Sequence, residues 1–211
     1  MIVLEAHYFP CIQYFAALCG QEKILLEAKE HYIKQSYRNR CYIRAANKVD
    51  RLSVPVLKAP LGALTQDIRI DYSQRWQSIH ARAMRSAYSK APFFDIFIDD
   101  FEQIIFKKQN FLLDLNVEIL TLCLKYLRVD ASIDITAVYK TNYEVENLDF
   151  RNTFVADNQL IKAEIPTYQQ IFGNSFVSNL SIIDLLFCVG NQAGSYLKNV
   201  NFLVFNKNPY I

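Results

Sequence analysis

Ile2-Val3-Leu4-Glu5-Ala6-His7-Tyr8-Phe9-Pro10-Cys11-Ile12-Gln13-Tyr14-Phe15-Ala16-Ala17-Leu18-Cys19-Gly20, resumed by Lys23-Ile24-Leu25-Leu26-Glu27-Ala28, decides the fold. The opening apolar run predicts a strand that ends at Tyr8-Phe9-Pro10, because proline brings no amide hydrogen to a ladder. Ile12 to Cys19 reads as a short helix, with Gly20 as its C-terminal stop. Lys23 to Ala28 returns as a second strand. Strand, helix and strand in so short a span form a βαβ unit and predict a parallel pair.

Working outward, Cys41 to Arg44 and Leu52 to Val56 are strand candidates around Ala46-Asn47-Lys48-Val49-Asp50, which reads as a hairpin connection. Ile68 to Tyr72 alternates apolar and polar side chains, the pattern of a half-buried strand. Helices follow. Ser73 is placed to cap a helix from Gln74 to Ser89, with Trp76, Ile79, Ala83 and Ala87 as its apolar stripe. Phe93 to Lys108 predicts another. The apolar stretch from Phe111 to Leu127 carries Asp114, Asn116, Glu118 and Lys125, so it reads as a buried helix and not a membrane span. Val129 to Ala137 is expected to rejoin the sheet, and the weakly patterned Tyr139 to Glu164 to form a long excursion or lid. Ser181-Ile182-Ile183-Asp184 has capping-box spacing ahead of Leu185-Leu186-Phe187, and Gly190 stops that helix.

The expected fold is therefore α/β: one domain over residues 1–211 with a mainly parallel or mixed sheet, a β-hairpin after the second strand and a helix-rich C-terminal half. Within it, 1–75 is the strand-rich core, 76–128 is helical and 129–211 is mixed with a C-terminal helix. Composition agrees: 211 residues, 52% apolar and 14% aromatic, can bury a large core, and the five glycines and six prolines disfavour a loop-rich or repeat fold. A net charge of +2 locates no partner, so binding charge must be local. The five cysteines are widely spaced without a Cys-x-x-Cys pair, which suggests free thiols in a reducing compartment. With no cationic leader before an apolar run, a cytoplasmic location is expected.

The chemically richest stretch is His31-Tyr32-Ile33-Lys34-Gln35-Ser36-Tyr37-Arg38-Asn39-Arg40. Arg38 and Arg40 offer planar forks for phosphate or carboxylate, and Lys34 a mobile point charge. His31 adds a titratable group, and Gln35, Ser36 and Asn39 add neutral donors. Tyr32 and Tyr37 have faces on which a base or sugar ring can stack. The plain alternative is a solvated loop leading into a strand. A nucleic-acid groove would need basic residues spread over a face, which the rest of the chain does not supply.

Trp76, His80 and Met84 recur every four residues and share one helix face. A histidine there has the chemistry of a general base; a helix-face histidine satisfied locally is the other reading. Tyr8 follows the first strand, where open parallel sheets bind ligands. His7 and Tyr8 lie on opposite sides of an extended chain, and Tyr8 is the one expected to face a site, with core packing as its alternative. Asp99, Asp100 and Glu102 read as a solvated helix end more than a metal site, and no metal is expected. Gly194-Ser195-Tyr196 is not a nucleophile elbow, and neither a Walker motif nor a dinucleotide fingerprint occurs, so no cofactor is specified.

Taken in order, Tyr8-Phe9-Pro10 with Tyr14-Phe15, Lys34 to Arg40, Leu52-Ser53-Val54-Pro55-Val56, Trp76-x-x-x-His80, Ser86-Ala87-Tyr88, Pro92-Phe93-Phe94 and Asn179 to Leu186 resemble the WbqC-like proteins of bacterial polysaccharide gene clusters. The blocks span nearly the whole chain. The resemblance implies an accessory enzyme of O-antigen-type glycan assembly, with glycyl (aminoacyl) transfer to an amino sugar as the suggested reaction. On that reading His80 is the base, while Tyr8, His31, Lys34, Gln35, Ser36, Arg38, Asn39, Arg40 and Tyr88 bind substrate. The partner is a sugar nucleotide or glycolipid precursor; no nucleic acid is expected beyond an aminoacyl-tRNA donor, and an oligomer is compatible. A non-catalytic sugar-nucleotide-binding or scaffold protein of the same pathway is the alternative. Many relatives open with His-Gln-Pro where this chain has Leu4-Glu5-Ala6, and His7 does not align with that histidine.

Overall fold

The computed structural model describes residues 1–143, 147–155 and 161–205. The βαβ unit is present: strand β1 (Ile2–Glu5), helix α1 (Ile12–Leu18) and strand β2 (Lys23–Glu27). β1 and β2 pair in parallel with Ile2 opposite Ile24 and Glu5 opposite Glu27. Ser132–Ile135 (β5) lies beside β2 and Leu148–Asp149 (β6) beside β1, both parallel, giving the order β5-β2-β1-β6. Strand β1 is thus central and packed on both faces. That is why Ile2, Val3 and Leu4 form a continuous apolar run instead of an alternating one.

The hairpin joins β3 (Arg40–Arg44) to β4 (Val49–Ser53). It is tighter than the expected Cys41–Arg44 and Leu52–Val56 pairing. Ala45 N–H donates to the Lys48 carbonyl at 3.0 Å, so Val49 and Asp50 already belong to the second strand. Ile68–Tyr72 is not a strand. Its residues make only single bridges, Ile70 with Val56 and Arg69 with Phe111, because Pro55 cannot donate to extend a ladder.

Helix α2 spans Trp76–Tyr88, α3 Phe94–Phe106 and α4 Leu112–Leu127. Ser73 does not cap α2. The helix starts three residues later, and the Ser73 amide instead donates to Asp71. The buried stripe of α2 is also rotated from expectation: Trp76, His80, Met84 and Tyr88 face inward at strict four-residue spacing, while Ile79 is 56% exposed. Among the described residues no helix is long and apolar enough to cross a membrane.

Helix α5 is Ile182–Val189, α6 Ala193–Leu197, and strands β7 (Ile161–Glu164) and β8 (Asn201–Phe205) form an antiparallel pair. Gly190 ends α5 at φ 63, and the Phe93 ring occupies the space a Cβ would need. The expected capping box at Ser181 is absent because both members are used elsewhere. Ser181 Oγ donates to the Phe9 carbonyl at 3.0 Å, and Asp184 accepts hydrogen bonds from Tyr88, Tyr168 and Gln170. Of the excursion expected over 139–164, residues 144–146 and 156–160 lie outside the described residues. Buried apolar side chains run as one cluster from Ile2 to Val200, and all five cysteines are free thiols.

Candidate active site

Both parallel strands of the βαβ unit end in glutamate, Glu5 on β1 and Glu27 on β2, side by side in register and fully buried. Two carboxylates so placed repel unless cations meet them. Each has one. Arg38 brings Nη2 to 3.9 Å from Glu5 Oε1 and forks onto Glu30 through Nε and Nη2, both at 2.6 Å. Its Nη2 also donates to Asn152 Oδ1 at 2.8 Å. Arg151 bridges Glu27 Oε2 (3.2 Å) and Asp149 (2.9 and 2.6 Å), and lies over the rings of Tyr139 and Tyr143. The carboxyl edge of the sheet, where open α/β folds place ligands, is therefore a buried lattice of alternating charge.

Within it, Glu5 is held through both of its oxygens. Oε1 accepts from His7 Nε2 at 2.9 Å, and Oε2 accepts the Asn152 amide at 2.9 Å. Burial alone would raise its pKa; Arg38, His7 and the Asn152 amide outweigh that and hold it at about 2. The His7 ring stands between Tyr14 (5.0 Å) and Tyr37 (5.5 Å), and its buried Nδ1 has no hydrogen-bond partner among the described residues. The following bend carries strain: buried Phe9 sits at φ 43, an uncommon conformation for a bulky side chain.

Beyond this bend Tyr8 turns into the interior. Its hydroxyl lies 2.8 Å from His80 Nδ1, so the structure brings these two expected residues together. The Ser53 backbone also favours the protonated imidazole, though less than burial disfavours it. Desolvation drives the His80 pKa down to about 4, and burial raises that of Tyr8. At neutral pH the pair is an uncharged core hydrogen bond, with Trp76 edge-on to the ring at 5.2 Å.

The His31–Arg40 loop divides into two kinds of residue. Arg38 is 1% exposed and already matched to acids. Asn39 is pinned to Val54, its Nδ2 donating to the carbonyl at 2.9 Å, and Ser36 Oγ donates to the Ile33 carbonyl at 2.7 Å. Arg40 is different: among the described residues Nη1 alone has a partner, the Gln35 carbonyl at 3.2 Å, and the buried Nε has none. No carboxylate lies within ion-pair distance of Arg40 among the described residues. Exposed Lys34 and Gln35 stand in the same loop, with Gln35 at φ 60, and the buried Tyr32 hydroxyl near Arg38 and Arg40 has no partner among the described residues. His31 points elsewhere, its Nδ1 2.8 Å from the Gly62 carbonyl. Tyr88 is also apart, donating to Asp184 at 2.7 Å and accepting the Arg44 amide.

Glu5, His7, Glu27, Glu30, Arg151 and Asn152 were not among the expected site residues. The one signal for them in sequence is the repeated ending of an apolar strand in glutamate, Ile-Val-Leu-Glu and Ile-Leu-Leu-Glu. Arg151 and Asn152 come from the far side of the sheet and carry no local mark. Among the described residues no group of three or more His, Cys, Asp or Glu is arranged to hold a metal ion. The acidic run of α3 instead meets Arg85, which forks onto Glu102 at 2.7 Å twice.

Fold and site together define an α/β protein whose parallel sheet presents buried carboxylates, an oriented histidine and a donor-rich loop at its carboxyl edge. The chain belongs to the WbqC-like protein family, whose model matches residues 5–157 and 145–196. It is similar to the uncharacterized protein Rv1507c of Mycobacterium tuberculosis (strain ATCC 25618 / H37Rv), at 25% identity over 224 residues covering 93% of this chain and 96% of that one. No solved structure matches it.

Proposed function

We propose that the protein is a transferase of surface-polysaccharide (O-antigen-type) biosynthesis that moves an aminoacyl group, glycyl in the simplest case, onto an amino sugar carried by a nucleotide or lipid. The observation that carries this reading is Arg40, a half-buried cation with no carboxylate partner among the described residues, at the start of β3 where the donor-rich loop ends. A guanidinium in that state favours an anion, and phosphate is the anion of a sugar nucleotide. Arg40 and Lys34 hold the phosphate, with Gln35 and Tyr32 beside them. Arg38, Asn39 and Ser36 keep the loop in shape through Glu30, Val54 and Ile33. Tyr8 and His80 form the wall behind the β1 bend.

A specific observation favours a second reading, binding without turnover: burial and a pKa near 4 leave His80 a weak base at neutral pH. Both readings are tested by incubating the protein with a nucleoside-diphosphate amino sugar and a glycyl ester donor, glycyl-tRNA included, and weighing the products. Transfer appears as one glycyl residue added to the sugar nucleotide, lost in Arg40→Ala. A thermal shift with the sugar nucleotide but no mass gain would select the binding protein, and silence in both would reject the pair.

A further inference from the structure

We infer that His7 is the proton acceptor of this site and that Glu5 is its positioning residue. The inference deepens the transferase reading and rests on it for the identity of the proton donor. It does not rest on it for the state of the imidazole.

The argument begins with hydrogen-bond inventory. A carboxylate can only accept, and Glu5, held at about 2, is a carboxylate at any physiological pH. Glu5 Oε1 lies 2.9 Å from His7 Nε2, so the ring proton of neutral His7 must sit on Nε2. The lone pair is then on Nδ1, the buried atom with no partner among the described residues. An unpaired buried acceptor costs about 1–3 kcal/mol, which a purely structural histidine would avoid. Orientation by a carboxylate on one nitrogen, with the other free, is the arrangement that a general base requires.

The position fits as well. His7 follows β1 by two residues, at the carboxyl edge where an open parallel sheet receives ligands, and the Phe9 bend is the strained backbone next to it. The groups facing the ring are Glu5 from its own strand, Tyr14 from α1 and Tyr37 from the donor-rich loop, with Arg38 reaching it through Glu5. His7 is 1% exposed, and the turn from Phe150 to Phe154 closes this end: the Asn152 amide donates to Glu5, and the Phe154 ring packs on Tyr14.

The step balances as follows. The lone pair of the acceptor's amino nitrogen forms the new C–N bond to the acyl carbon of an activated ester, and its proton passes to His7 Nδ1. The bond from the acyl carbon to the ester oxygen breaks, the electron pair leaves on that oxygen, and His7 returns the proton to it. Glu5 stays ionised throughout and stabilises the imidazolium.

The test uses the full chain, and its first readout needs no natural substrate. Diethyl pyrocarbonate acylates unprotonated imidazole nitrogen, and peptide mass mapping separates His7, His31 and His80; nitrogen NMR of the rings reports the tautomers. Neutral His7 is expected with its proton on Nε2 and to acylate faster than His80. Glu5→Gln, which no longer fixes the ring proton on Nε2, is expected to mix the two tautomers and to slow His7 acylation at a fixed pH. A proton on Nδ1, or acylation of His7 no faster than of His80, overturns the inference whether or not transfer is ever detected. Should Glu5→Gln not fold, His7→Gln replaces it: folded by circular dichroism, it is expected to lose about a hundredfold or more in kcat with KM little changed. Equal kcat would overturn the inference while leaving the transferase reading intact.

Discussion

His80 makes acid stability a sharp probe of the interior. Its pKa lies at about 4, against an ordinary 6.5, because burial disfavours the imidazolium and only the Ser53 backbone opposes that. The unfolded chain therefore binds this proton between pH 6.5 and 4 while the folded chain does not. Stability from this group is complete above pH 6.5 and is lost as pH falls toward 4. At about 1.4 kcal/mol for each tenfold change, the loss amounts to about 3 kcal/mol. His80→Gln removes the titration but retains an acceptor for Tyr8, whose hydroxyl lies 2.8 Å from the imidazole. Urea unfolding of both proteins from pH 7.5 to 4, followed through Trp76, the single tryptophan, reads the difference directly. The wild type should lose about 3 kcal/mol more than the variant over that range. Parallel pH profiles would refute the reasoning, because they would mean that the folded state accepts the proton as readily as the unfolded one.

Other substitutions separate fold from site. Arg38→Ala strands Glu30 and Glu5 without their cation and is expected to cost about 3–5 kcal/mol in urea unfolding, whereas Arg40→Ala, with one carbonyl contact, should cost under about 1 kcal/mol while abolishing the thermal shift produced by sugar nucleotides. Gly194→Ala places a methyl against the Leu127 backbone carbonyl where α6 meets α4, and because backbone must give way, a loss of about 1–3 kcal/mol is expected in thermal unfolding. Asp184→Asn replaces a carboxylate that accepts from Tyr88, Tyr168 and Gln170 with an amide that must donate from one of its two sites; a loss of about 1–3 kcal/mol, read by the same unfolding, is expected, and an unchanged midpoint would show that the amide finds other partners.

Where local pattern governs conformation, the sequence was legible. The βαβ unit, the hairpin, α2 to α4 and the return of β5 to the sheet all follow from apolar runs of strand or helix length and from their breakers. The misreadings occurred where a side chain was claimed by a distant partner. Ser181 has the spacing of a cap but serves the Phe9 carbonyl, 172 residues away in sequence. Ile68–Tyr72 alternates as a strand should, yet its neighbours are Val56 and Phe111, which no local pattern announces. The site divides in the same way. The donor-rich loop is visible because its residues are consecutive, whereas Glu5, Glu27, Arg151 and Asn152 meet only after the parallel strands are laid in register.

Arg38 and Arg40 show why residue type alone could not assign that loop. Two positions apart, they look interchangeable as anion ligands, and the difference lies outside the loop. Arg38 falls where Glu30, Glu5 and Asn152 converge, so its donors toward those groups are spent on the protein itself. Removing it from water is tolerable only because those acids went with it. Arg40 begins β3 opposite Ser53, which supplies no charge, and its buried Nε is unpaired among the described residues. An acid introduced opposite it, Ser53→Glu, should satisfy that guanidinium and compete with phosphate. A raised unfolding midpoint together with a lost nucleotide response would identify Arg40 as the anion ligand. A nucleotide response that survives the new carboxylate would move the phosphate to Lys34 or away from the loop.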